Sequence, residues 1–99
     1  MKREDVVASI LRAIDAYNAA GHEPQINKSR GDQTPLYGPD GLLDSVGLVE
    51  FIMDVEDSLR ADLGLSITLA DQRALSQRSS PFRSVAALAD YVLSRPDAG

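Results

Sequence analysis

Ser45, in the run GLLDSVGLVEF over residues 41–51, is the residue whose type and surroundings most invite chemistry. A serine hydroxyl beside a carboxylate can attack as a nucleophile, cap a helix or accept a covalent group. The stretch LDSVG approaches the G-x-S-x-G elbow of serine hydrolases, but Leu43 stands where the first glycine belongs. That elbow also needs a strand leading into it and a histidine base. The lone histidine, His22, falls in an expected loop near the end of a helix. One histidine and no cysteine leave no zinc ligand set and no protein thiol. For the carboxylate pairs Glu56 with Asp57 and Asp40 with Asp44, nothing in the sequence suggests a pocket that would raise a pKa. No D-x-[DN]-x-[DN]-G calcium loop is present. The residue pattern therefore argues against catalysis, and the role of Ser45 depends on the element that carries it.

Hydrophobic spacing predicts the elements. Over 5–20, Val7, Ile10, Leu11, Ile14 and Tyr17 recur at three- and four-residue steps, the one-face pattern of a helix, with Gly21 as its stop. Residues 22–41 carry three prolines and three glycines without a period and read as a long connection. Ile26, Leu36 and Tyr37 are its candidate anchors, while 27–34 holds no apolar residue and reads equally as a disordered linker. A second helix is expected over 44–61, with Val49, Ile52, Val55 and Leu59 on its core side, Leu48 and Phe51 widening the stripe, and Gly64 closing it. The stretch LSITL over 65–69 lacks a partner strand and reads as extended connection. Thr68 and Asp71 have capping-box spacing for a short helix over 69–77. Ser84 can cap a last helix over 85–94 that buries Val85, Leu88, Tyr91 and Val92 and ends before Pro96. The expected fold is one all-α domain over 1–99, a small four-helix bundle of three longer helices and one short one.

Composition narrows the partners. An apolar fraction of 43% and a charged fraction of 25% over 99 residues are those of a folded globular domain. Ten basic against fifteen acidic residues give a net charge of −5, which repels nucleic acid and anionic lipid and suits basic patches on other proteins. No run of about 18 apolar residues could span a membrane, and the charged N-terminal stretch lacks a signal peptide's apolar core. A cytoplasmic monomer is expected.

On the second helix, Glu50, Asp54 and Asp57 fall at i, i+4 and i+7 and align into an acidic ridge, for which a solvated face is the plain reading. At the start of that helix either Asp44 or Ser45 can accept hydrogen bonds from the free N–H groups. If Asp44 caps, Ser45 becomes the first helical residue, and a phosphate ester on its Oγ would lie at the positive end of the helix, where anions are stabilised.

The stretch GLLDSVGLVEFIMDVEDSL resembles the modification motif of acyl carrier proteins, in which an Asp-Ser-Leu triplet opens the second helix. A first amphipathic helix, a long loop ending in Gly-x-x-Asp-Ser, an acidic second helix, a short third helix and a capped fourth extend the resemblance over essentially the whole chain. It implies a four-helix carrier fold and 4′-phosphopantetheine, taken from coenzyme A by a phosphopantetheinyl transferase, on Ser45. Asp44 would be the neighbour that transferase recognises. Val46, Leu48, Glu50, Met53, Asp54, Glu56 and Asp57 would form the partner face.

The resemblance further implies a non-enzymatic tether that carries acyl or aminoacyl thioesters between a loading ligase or adenylating enzyme and a downstream transferase or synthase. Val46, Gly47 and Leu48 depart from the fatty-acid carrier pattern and are closer to discrete carriers of specialised metabolism, polyketide-like or nonribosomal-peptide-like. A D-alanine-type aminoacyl carrier and an unmodified carrier-like adaptor are the alternatives.

Overall fold

The computed structural model describes residues 2–21, 25–27, 29–37, 43–69 and 82–94, with Ser45 through its backbone. Helix α1 spans Arg3–Ala19 and opens with Glu4 and Asp5 in its first turn, where negative charge complements the helix dipole. It buries Val6, Ser9, Ile10, Ala13, Ile14 and Tyr17. Val7 and Leu11, expected in the core stripe, are only partly buried. The buried face is centred on Ile10 and Ile14 and takes in small Ser9 and Ala13, because α1 packs against more than one neighbour. The chain leaves α1 through Gly21, whose φ of 90° is unfavourable for a side chain and whose N–H donates to the Asn18 carbonyl.

The described part of the long connection is tied down. The Asn18 amide donates to the Ile26 carbonyl at 2.9 Å and accepts the Ile26 N–H at 2.8 Å, which seats Ile26 in the core. A 3-10 turn over Gly31–Gln33 follows, closed by the Thr34 hydroxyl donating to the Gly31 carbonyl at 2.7 Å. Leu36 N–H then donates to the Arg83 carbonyl, Tyr37 N–H to that of Phe82, and Val85 N–H to that of Thr34. Leu43 N–H returns to the Leu36 carbonyl, so the approach to the next helix is fixed as well. Within 27–34, Thr34 is joined to Val85 through its carbonyl and Asp32 to the Arg3 guanidinium, with no apolar side chain involved.

Helix α2 spans Ser45–Leu63 and stops at Gly64, left-handed at φ 68°, whose N–H reaches back to the Arg60 carbonyl. It runs antiparallel to α1. Tyr17, late in α1, meets Phe51 edge to face at 5.9 Å, whereas Ser9, early in α1, meets Ser58 and Asp62 late in α2. Residues 65–69 form neither helix nor strand, with Ile67 and Leu69 buried. The expected short helix over 69–77 lies, beyond Leu69, outside the described residues. Helix α3 spans Val85–Ser94 and is capped by Ser84, whose Oγ accepts the Ala87 N–H at 3.1 Å. It buries Val85, Leu88, Ala89 and Val92, while Tyr91, expected among them, is partly buried beside the Phe82 ring.

Among the described residues there are three α-helices, two isolated β-bridges and no β-strand. The core joins α1, α2, α3 and the anchored connection around Ile10, Ile14, Phe51, Ile52, Leu59, Phe82 and Leu88. Each such side chain contributes roughly 1.5 to 3 kcal/mol on burial. The Cα radius of gyration of 12.1 Å fits a compact domain of this length.

Candidate functional site: the start of helix α2

The chain reaches α2 through buried Leu43, and Asp44 is the N-cap. Asp44 Oδ1 accepts the Gly47 N–H at 2.7 Å, and its carbonyl accepts the Leu48 N–H at 2.8 Å. The first bond satisfies one of the four free donors of the first turn and the second is the first ordinary helix bond, leaving Ser45 as the first helical residue. Its neighbours in the chain, Asp44 and Val46, are exposed, so a group attached at position 45 is flanked by solvent-facing residues.

Gly47 has ordinary helical backbone, and its lack of a side chain is explained by space rather than by φ. A β-carbon there would stand 3.1 Å from the Tyr17 hydroxyl oxygen, 3.2 Å from Asp44 Oδ1 and 3.5 Å from Leu43 Cδ2. The glycine lets the end of α1 press on the first turn of α2. Burial of the Tyr17 phenol, followed by the nearby carboxylates of Glu50, Asp44 and Asp54, raises its pKa above the ordinary tyrosine value. It therefore remains a neutral hydroxyl across the physiological range.

The expected partner-face residues divide into two groups. Val46 is 69% exposed and Met53 57%, and Val49, expected in the core, is 42% exposed. At i, i+3 and i+7 these three form an apolar stripe on the outer side of α2. Leu48, expected on the partner face, is instead 2% exposed and packs in the core. The buried side of α2 runs through Leu48, Phe51, Ile52, Val55 and Leu59, and this turns position 49 outward. Of the two places expected for Leu48, the core stripe by spacing and the partner face by resemblance, its side chain lies in the core.

The acidic residues also separate. Glu50 and Asp57 are exposed and Asp54 is half-buried, with Asp57 accepting a hydrogen bond from the Arg60 guanidinium at 2.5 Å. Glu56 is also half-buried, and its carboxylate accepts the Leu69 N–H. That bond ties the 65–69 segment to α2 and gives Glu56, expected on the partner face beside the ridge, a structural role.

Two further features sit apart from the start of α2. Asp62 accepts hydrogen bonds from Arg12 at 2.8 Å, Ser9 at 3.0 Å and Ser58 at 3.2 Å, and the first two of these lead in holding its carboxyl below the usual range. This clasp was not foreseen, since serines within helices carry no periodic signal. A shallow groove of about 660 Å³ along the first half of α1 is lined by Arg3, Val7, Leu11 and Asp32 among others, none of them on α2. Among the described residues no group of three or more His, Asp or Glu is placed to hold a metal ion. No helix there is long and apolar enough to cross a membrane.

No protein-family model, curated protein or solved structure matches the chain.

Proposed function

We propose that the protein is a carrier domain of the acyl-carrier type, a four-helix bundle whose Ser45 is modified with 4′-phosphopantetheine. The observation that carries this reading is the Asp44 cap, which makes Ser45 the first residue of a rigid helix between two exposed neighbours. In the modification, catalysed by a phosphopantetheinyl transferase, Ser45 Oγ loses its proton and attacks the pantetheine-side phosphorus of coenzyme A. A phosphodiester forms at Oγ, and the bond to the bisphosphorylated adenosine breaks. The resident helix dipole stabilises the new anion at this end.

When bound, the arm supplies a terminal thiol that holds an acyl or aminoacyl group as a thioester, chemistry the cysteine-free chain lacks. The chain itself binds, presents and releases. Val46, Val49 and Met53 offer an apolar strip, and Glu50, Asp54 and Asp57 border it with negative charge, a pattern that suits an enzyme with a basic rim around an apolar patch. The partners in this reading are the transferase, a loading ligase or adenylating enzyme and a downstream transferase or synthase. The domain is not itself an enzyme, and the pathway is specialised biosynthesis.

Incubation with coenzyme A, magnesium and a broad-specificity phosphopantetheinyl transferase, followed by intact-mass measurement, tests the assignment. One phosphopantetheine adduct is expected on the wild type and none on Ser45→Ala. An unmodified wild type, or an adduct that survives the substitution, rejects it.

A further inference from the structure

The Ser45-bearing turn is fastened from within α2 by the Asp44 cap, and a residue from outside α2 also reaches it. Tyr17 lies late in α1, is almost fully buried, and is oriented by its edge-to-face contact with Phe51. Its hydroxyl oxygen would stand 3.1 Å from a β-carbon at Gly47 and Asp44 Oδ1 3.2 Å, both tighter than ordinary van der Waals contact. The phenol therefore packs closely on the first turn of α2 at the one position there that has no side chain. We infer that Tyr17 is a positioning residue for the turn that carries Ser45, acting through the gap at Gly47, so that α1 sets both the order of this turn and the rate at which Ser45 is modified.

The inference rests on the carrier reading for its functional consequence and on geometry alone for its structural half. Tyr17 touches neither substrate nor arm in this scheme. It acts by fixing the turn against which Asp44 and Ser45 are held. Reactions that depend on a near-attack geometry lose about 100-fold for a displacement of about 1 Å, so shifts of a few tenths of an ångström translate into losses of roughly three- to tenfold.

The pair is size-complementary, and that supplies the test. Gly47→Ala crowds the hydroxyl, Tyr17→Phe removes the oxygen, and the double variant gives the new methyl group the room that the oxygen leaves. Four proteins are compared by two measurements: transferase kinetics at Ser45, and amide hydrogen exchange of Leu48, whose N–H is bonded to the Asp44 carbonyl. Each single variant should lower kcat for modification roughly three- to tenfold with KM little changed, and speed Leu48 exchange. The double variant should recover both. Losses that simply add in the double variant, in exchange or in kcat, overturn the inference. If Gly47→Ala fails to fold, the double variant must still fold and protect Leu48, or the inference falls. A wild type that accepts no phosphopantetheine rejects the carrier reading instead, while the exchange measurements still decide whether Tyr17 orders the turn.

Discussion

The Tyr17 hydroxyl lies 3.1 Å from where a β-carbon on Gly47 would be, joining the end of α1 to the first turn of α2. Taken alone, a glycine in the first turn of a helix weakens that helix. With Tyr17 in place, the glycine is what permits two helices to meet beside the candidate attachment residue. The size of the residue at position 47 is thus limited by an approach made from α1.

The Asp44 cap can be separated from its charge. Asp44→Ala removes the acceptor of the Gly47 N–H and should lower unfolding free energy by about 1 kcal/mol, read from urea denaturation. Asparagine caps about as well as aspartate, so Asp44→Asn should restore most of that stability. In the carrier reading modification of Ser45 is slowed by both variants, because the transferase recognises the carboxylate. Equal modification rates for Asp44→Asn and wild type would confine Asp44 to capping.

Burial sorts the apolar residues of α2. Leu48→Ala should cost about 2 to 5 kcal/mol, as expected for a leucine removed from a packed core. Val46→Ser and Met53→Ser should leave stability within about 0.5 kcal/mol, since both side chains are exposed. In the carrier reading the two serine variants weaken docking and raise KM for the transferase. A fully stable Leu48→Ala would contradict the core assignment.

Much of this arrangement can be read from the sequence, and the parts that cannot have physical reasons. The three helices, the glycine stop at Gly64 and the Ser84 cap follow from period, φ preference and side-chain chemistry, all local properties. Which neighbour on a helix face turns inward is not local. Val6 rather than Val7, and Leu48 rather than Val49, are buried because of how α1 and α2 are rotated against the rest of the core. The same limit applies to Glu56, whose bond to Leu69 N–H depends on where the 65–69 segment returns. Gly47 offered a signal, a glycine inside a helical pattern, but not the identity of the residue approaching it.

Tyr17 should titrate above an ordinary tyrosine, because burial and then Glu50, Asp44 and Asp54 disfavour its phenolate. A folded-state pKa raised above the unfolded one means that the native state holds the proton more tightly. The associated stability is full below the unfolded value, near pH 10, and is lost as pH rises through the folded value. Spectrophotometric titration of Glu50→Gln should move this phenol back toward the ordinary value. An unmoved titration would place Glu50 too far away to act on it.

At the other end of the same helix pair, Asp62 should make the fold acid-sensitive. Its pKa is lowered, chiefly by hydrogen bonds from Arg12 and then Ser9, so its contribution is present above the unfolded carboxylate pKa and disappears as pH falls through the folded value. Unfolding curves of the wild type should show stability declining below about pH 4, and Asp62→Asn should show a smaller decline. Ser9→Ala removes a fully buried hydroxyl that donates to this carboxylate and should cost about 1 kcal/mol at neutral pH. An acid profile identical in wild type and Asp62→Asn would show that the clasp does not respond to pH.

The acidic side of α2 yields the last test, because its members differ in what they hold. Glu50→Lys and Asp54→Lys invert charge beside the apolar strip, and in the carrier reading they should slow association with a basic partner roughly tenfold at low salt, less at high salt. Asp57→Lys should act more weakly, since part of that charge is already met by Arg60. Glu56→Gln should behave differently: its acceptor for Leu69 N–H is weakened, so stability falls by about 1 kcal/mol while association rates change little. Stopped-flow association and urea denaturation on the same four variants separate the two effects. Equal association rates across all four, at every ionic strength, would reduce the ridge to a solvated face and remove charge steering from the carrier reading.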